Sequence, residues 1–324
     1  MTQNTNLPYS DAFRDTKALV TGGAGFIGSH IAQQLLDLGA QVTILDDLSS
    51  GHLANVPGGA QFTQASILDD DELKSATEGC TYVFHKAAMM SVPMSVEKPL
   101  ECVEINIMGT ERVLEAAKDL GVKRVVFAAS SAAYGEIAKL PSHEDDPLDC
   151  HSPYAASKVA GELLMTAFSR CYDLSTISLR YFNVYGPRQD PKSAYAAVIS
   201  AFSDALIHGR QPTVFGTGEQ TRDFVHVDNI VHANLLAASC EKDLNGEVLN
   251  VGTGTRISLL QIIELMGKHL GVETDPSFGP PRAGDIMHTL PDISRAKELI
   301  GYEPLLMFEE GLKETLEWMQ AQPV

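Results

Sequence analysis

Thr21-Gly22-Gly23-Ala24-Gly25-Phe26-Ile27-Gly28 is the stretch on which the fold turns. It follows a short apolar run, Ala18-Leu19-Val20, and opens onto Ser29-His30-Ile31-Ala32-Gln33-Gln34-Leu35-Leu36, giving the order strand, tight glycine turn, helix. Gly22 lets the chain turn sharply off the strand. Gly25 lets backbone approach a diphosphate without a Cβ in the way, and Gly28 lets the helix lie close on the sheet. The free N–H groups at the helix start, aided by the helix dipole, then face an anion. Such a turn seats a dinucleotide, with Phe26 and Ile27 in its cradle. Taken alone, the pattern fits an ordinary glycine-rich βα loop equally well.

Downstream, Gln41–Leu45 reads as a second strand that ends in Asp46-Asp47. Asp46 lies 18 residues beyond Gly28, near the position where an acid accepts both ribose hydroxyls of adenosine and repels a 2′-phosphate. This favours NAD over NADP; the plain alternative is a solvated acid at a strand end. Further strands are expected at Gln61–Gln64, Tyr82–His85, Arg124–Ala128 and Ser175–Leu179. Helices are expected at Asp71–Gly79, about 101–120 and about Tyr154–Cys171. This alternation requires parallel strands joined by crossover helices, so the fold class is α/β, a Rossmann-type doubly wound parallel sheet.

The rhythm changes after residue 183, where prolines, glycines and loops increase. Short strands near 213–215 and 222–227, a helix near 194–208, a returning strand Glu247–Val251 and helices near 258–270, 292–300 and 308–320 are expected. The implied organisation is an NAD-binding domain over 1–183 with returning segments at about 223–255. A smaller, discontinuous α/β substrate-binding lobe takes 184–222 and 256–324.

The 324 residues are 44% hydrophobic, enough for a full core, and the formal net charge of −18 argues against a nucleic-acid partner. A small anionic ligand needs only a few local arginines. Five widely spaced cysteines with no C-x-x-C argue for reduced thiols and no zinc site. No apolar run approaches the ~20 residues of a membrane span, and the first twenty residues lack a signal core. The expectation is a soluble cytoplasmic protein.

Tyr154-Ala155-Ala156-Ser157-Lys158 carries the sharpest chemistry. Residues four apart on a helix face the same way, ~6 Å between Cβ atoms. A phenol with a reference pKa of ~10 needs a nearby cation to act as a base. Tyr82 and Lys86 repeat the spacing on an apparent strand, where four residues span ~13 Å and coupling fails. Position therefore selects Tyr154 and Lys158 over a helix surface pair. Ser130, where the strand from Arg124 ends, can hydrogen-bond a reacting oxygen; small-residue packing is the alternative there.

With Arg180-Tyr181-Phe182-Asn183-Val184-Tyr185-Gly186-Pro187 added to these motifs, the chain from about residue 16 onward resembles the extended short-chain dehydrogenase/reductase family, and within it the nucleotide-sugar 4-epimerases. The resemblance implies that Ser130, Tyr154 and Lys158 form the catalytic triad, with Asn106 a structural asparagine beside it. Ala87 and Ala88 match backbone lining the cofactor. Asn183 matches a diphosphate contact, Ala197 and Val198 backbone facing the nucleotide, and Thr213 and Phe215 uracil contacts. Arg222 with Arg282 and Asp285 matches a diphosphate and ribose clamp, apt because a guanidinium pairs bidentately with phosphate.

Several positions depart from the family pattern. Ser66-Ile67 replaces Asp-Ile at the adenine, which implies looser NAD retention, and Asp47 replaces asparagine. Lys86 replaces an uncharged residue beside the cofactor, with a phosphate or a carboxylate as its expected partner. Ala132 replaces the acid of related dehydratases and decarboxylases, which favours epimerisation. Thr289 stands where UDP-galactose epimerases carry a bulky tyrosine, leaving room for an N-acetyl group. Ser91 matches a sugar-facing position of the N-acetylhexosamine branch, and Ser131 joins the substrate set.

The resemblance thus implies an NAD-dependent homodimer that inverts C4 of UDP-glucose, and of UDP-N-acetylglucosamine, through a 4-keto sugar. The implied interface is the two helices near 101–120 and 154–171. The rivals are a UDP-uronate epimerase or other nucleotide-sugar enzyme of this family, and a non-catalytic NAD-binding protein.

Overall fold

The computed structural model describes residues 7–136, 139–190, 198–281 and 286–322. Its centre is a seven-stranded sheet whose paired strands all run parallel. The strands are β1 (Lys17–Thr21), β2 (Gln41–Leu45), β3 (Gln61–Thr63), β4 (Tyr82–His85), β5 (Arg124–Ser130), β6 (Ser175–Tyr181) and a last strand, Asn245–Val251. The spatial order is Asn245–Val251, β6, β5, β4, β1, β2, β3. The chain therefore winds outward from β1 to β3, then returns to β4 and winds the other way. The carboxyl ends of β1 and β4 face the crevice at this switch, where open sheets hold ligands.

β1, β2, β4 and β5 are buried on both faces along most of their length, so they read as largely apolar runs. Alternate residues serve opposite cores. Val20, Phe84, Val126, Ile177 and Leu249 pack with the helix Phe26–Asp37 and the helix Val227–Ser239. Leu19, Val83, Val125 and Phe127 pack with the helices Gly109–Asp119 and Pro153–Tyr172. A separate cluster, including Tyr185, Phe202, Val214, Phe224, Ile262 and Leu312, gathers the later helices. Small strand pairs connect it to the sheet: Asn183–Tyr185 with Phe224–His226, Thr221–Arg222 with Ile257–Ser258, and Thr213–Phe215 with Ser277–Gly279.

Four local features differ from the sequence expectation. The expected helix over 101–120 is three pieces: Pro99–Val103, a π-helical turn Glu104–Met108, and Gly109–Asp119. The expected strand over 222–227 is two, split at Asp223, whose buried carboxylate instead accepts hydrogen bonds from the backbone N–H of Thr253 and Thr255. Val92–Glu97 is a short helix with proline in its first turn. Val227–Ser239, unanticipated, is a helix buried on almost every side, so it has no polar stripe to reveal a 3.6-residue period. Among the described residues, no helix is long and apolar enough to cross a membrane.

Candidate active site

The glycine turn is built by exclusion of side chains. Gly22 has φ +69°, and a Cβ there would lie 2.6 Å from the Ala87 nitrogen. A Cβ on Gly28 would lie 2.2 Å from the Gly22 carbonyl oxygen, so the helix seats directly on the turn. Thr21 Oγ1 fixes the end of β4 against β1 by accepting from the backbone N–H of Lys86 (3.2 Å) and Ala87 (3.3 Å). It also bonds His85 Nδ1 at 2.8 Å, and His85 Nε2 reaches Thr110 Oγ1 at 3.0 Å.

Asp46 ends β2 beneath the turn. Its carboxylate accepts from Ala24 N–H at 2.9 Å and from Leu48 N–H at 2.8 Å. Burial pushes its pKa up, and these two bonds oppose the rise. Asp47 accepts from Ser49 N–H, and Ser66 from Leu68 N–H, so each shapes its own loop. Ile67 is buried against Gly109, where a Cβ would come within 2.4 Å of it. A side-chain-free turn at a helix start, an acid 18 residues on at the next strand end, and the Ala87-Ala88 backbone across the crevice fit a dinucleotide.

Across the crevice, the Ser152 side chain caps the helix Pro153–Tyr172, accepting from Ala155 N–H at 3.1 Å. Tyr154 sits in the first turn, its N–H donating to Ser95 Oγ at 3.1 Å. Lys158, one turn on, donates from Nζ to Ala128 O at 2.9 Å and lies 5.9 Å from the Tyr154 ring centroid. Burial raises the Tyr154 pKa, and the hydrogen bond to Ser130 works against that rise. In this arrangement the Lys158 ammonium donates to Ala128, and burial is the largest influence on the phenol. Burial also lowers the Lys158 pKa to about 8.

The π-helical turn explains Asn106. It brings the amide inward, where Oδ1 accepts from Met89 N–H (2.7 Å) and Nδ2 donates to Met89 O (3.1 Å) and Ser157 Oγ (2.9 Å). Ser157 in turn donates to Tyr154 O at 2.8 Å. Asn106 thus ties the cofactor-side loop to the backbone of the candidate base.

Two chambers open from this point. Ser130, Ser131, Tyr154, Asn183, Arg222 and Thr289 line a cavity of about 350 Å³. Val198, Thr213, Phe215, Asn183 and Arg222 line another of about 500 Å³. Asn183 and Arg222 are common to both. Asn183 Nδ2 donates to Asp223 O at 2.9 Å and to Thr289 Oγ1 at 3.4 Å; Arg222 donates to Thr221 O and Met287 O, each at 3.0 Å. Ser91 lines neither chamber. It caps Val92–Glu97, accepting from Met94 N–H at 3.1 Å. Ala197, Arg282 and Asp285 lie outside the described residues.

Sequence reasoning passed over three contributors. Ser95 holds the Tyr154 backbone. Tyr134 and His288 line the smaller cavity, His288 with Nδ1 2.8 Å from Thr221 Oγ1. His288 directly precedes Thr289, which was the only available signal; Ser95 and Tyr134 had none.

Comparison with known proteins agrees with this geometry. The model of the NAD dependent epimerase/dehydratase family matches residues 18–252. A UDP-glucose 4-epimerase of Mycolicibacterium smegmatis is 39% identical over 311 residues, 94% of this chain and 98% of the relative. The solved UDP-N-acetylglucosamine 4-epimerase of Methanobrevibacter ruminantium M1, in complex with UDP-N-acetylmuramic acid, superposes with a TM-score of 0.90 at 40% identity. That match covers 94% of this chain and 98% of the other. A UDP-glucuronate 4-epimerase of Thermodesulfobacterium geofontis is 35% identical over 314 residues, 93% of this chain and 95% of the relative.

Proposed function

The chain belongs to the NAD dependent epimerase/dehydratase family, with NAD as its cofactor, and we propose that it is a UDP-hexose 4-epimerase. One observation carries the reading. The cavity holding Ser130 and Tyr154 and the larger chamber share Asn183 and Arg222. A nucleoside diphosphate gripped at that junction places its base in the larger chamber and its sugar against Tyr154.

In this reading Tyr154, as phenolate, takes the proton of the C4 hydroxyl while Ser130 holds that oxygen. NAD, when bound, would supply the hydride acceptor and donor that exchange with C4. Lys158 would hold the nicotinamide ribose. The 4-keto sugar turns over in the cavity while Asn183 and Arg222 keep the diphosphate. Ala132, in the cavity wall, offers no acid for water elimination, which speaks against a dehydratase or decarboxylase. Conversion of UDP-glucose to its galacto isomer by the purified protein tests the proposal. A uronate epimerase would use the same machinery and would fail that assay.

Thr289 suggests that the substrate range includes UDP-N-acetylglucosamine, since a threonine leaves space in the cavity for the acetamido group. Thr289→Tyr is expected to cut activity on UDP-N-acetylglucosamine at least about tenfold, the scale of a steric pocket change, while sparing UDP-glucose. Equal loss on both substrates in kcat/KM assays would contradict this.

The pH dependence follows from the two shifts. A raised Tyr154 pKa makes phenolate scarce at neutral pH, so kcat/KM should climb with pH. The climb should flatten near pH 8, where Lys158 starts to lose its charge. A profile flat from about pH 6 to about 9 would contradict the assignment of Tyr154 as base.

We read the active form as a cytoplasmic homodimer. Support comes from apolar side chains left exposed on neighbouring helices: Leu100 is 84% exposed, Leu163 67% and Met108 47%. The double variant Leu100→Glu/Leu163→Glu should sediment as a monomer. An unchanged sedimentation coefficient would rule this face out.

A further inference from the structure

Two amines hang from β5. Lys158 Nζ donates to Ala128 O at 2.9 Å, and Lys86 Nζ donates to Val126 O at 3.1 Å. Carbonyls two residues apart on a strand are separated by ~7 Å, so the amines are anchored to neighbouring points of one strand. The Lys86 backbone abuts the phosphate turn, where a Cβ on Gly22 would lie 2.8 Å from its carbonyl carbon. Its amine also donates to the Tyr181 hydroxyl at 3.0 Å, which is itself hydrogen-bonded to Asn234. Within the protein the amine is therefore met by a strand carbonyl and a phenol, not by the carboxylate that the sequence offered as one of two partners. Among the described residues, neither amine has a carboxylate within ion-pair distance; Glu162, one turn beyond Lys158, is taken by Arg180. In a chain of net charge −18, two amines that find no carboxylate among the described residues call for a role.

We propose that Lys86 is an electrostatic positioning residue that sets the balance between the oxidised and reduced forms of the bound nicotinamide cofactor. The inference rests on the epimerase reading for the location of the nicotinamide beside Tyr154 and Lys158. The oxidised ring is positively charged and the reduced ring is not, so positive charge at Lys86 favours reduction. Burial, and then Lys158, hold the Lys86 pKa well below the usual lysine range. The amine therefore keeps its proton least beside a charged ring and most beside a neutral one. By linkage, a proton on Nζ and hydride on the ring assist each other. The balance closes: the C4–H bond breaks with its electron pair going to the ring, and the hydroxyl proton goes to Tyr154. A proton gained by half-buried Lys86 comes from solvent and leaves when the hydride returns.

The test equilibrates the holoprotein, without sugar, against a two-electron reference couple and follows the near-ultraviolet absorbance of reduced nicotinamide. Lys86→Met and Lys86→Gln should shift the balance about tenfold toward the oxidised form, about 30 mV more negative, and Lys86→Arg should stay near wild type. A merely structural lysine would leave this potential unmoved. If Lys86→Met does not fold, Lys86→Gln, whose amide can still bond Tyr181, carries the test. An unchanged balance in a folded neutral variant overturns the proposal. Because no sugar is present, a shifted balance in a protein that epimerises nothing would overturn the epimerase reading alone.

Discussion

Tyr154→Phe is expected to lower turnover about a thousandfold, within the range that a positioned acid or base contributes. The substitution removes one oxygen and leaves the ring that packs at the mouth of the helix Pro153–Tyr172. The other constraints on this residue act on backbone: Ser95 accepts from its N–H, and Ser157 donates to its carbonyl. Both survive the change, so cofactor retention and UDP affinity should stay close to wild type. Ser130→Ala should have a smaller effect, because Ser130 would hold the reacting oxygen without taking its proton. Steady-state assays with a UDP-binding titration separate the cases. Near-normal turnover in the phenylalanine variant would remove Tyr154 from the chemistry.

The second large effect is on stability. Arg180 Nε and Nη2 donate to the two Glu162 oxygens at 2.8 and 2.7 Å, with the side chains 3% and 5% exposed. Burial works against the guanidinium charge, yet the Glu162 carboxylate holds its pKa above the usual range. The pair fastens the helix that carries Tyr154 and Lys158 to β6, and the guanidinium also lies 4.9 Å from the Tyr134 ring centroid. Arg180→Met strands a buried carboxylate and should cost about 3–5 kcal/mol. Removing both charges, as Glu162→Gln with Arg180→Met, should cost less than that single change, because no uncompensated charge remains. Denaturant unfolding of the two variants checks the order. A single variant as stable as wild type would show that the pair does not hold the helix in place.

The sheet was legible because local and global signals coincide in it. β1 and β2 fall where short apolar runs stop at glycine or acidic residues, and the turn at Gly22 declares the crossover that follows. Val227–Ser239 was illegible for the opposite reason: packed beneath the sheet on nearly all sides, it lacks the polar face that marks a helix. The π-helical turn at Glu104–Met108 leaves no mark in composition, and only the tertiary bonds of Asn106 to Met89 and Ser157 explain its register. In the site, Tyr154 and Lys158 could be picked out because helical spacing fixes them locally. Their protonation could not, since it depends on burial and on Ala128, a residue of another element. Lys86 makes the same point: sequence shows an unusual charge, and only the assembled sheet supplies Val126 and Tyr181 as its partners.

The most direct test of the account is proton NMR of UDP-glucose incubated with the purified protein and no added NAD. The account predicts growth of UDP-galactose to equilibrium with no accumulation of reduced cofactor, since every hydride taken from C4 is returned. Absence of the galacto isomer, even after NAD is supplied, would contradict it.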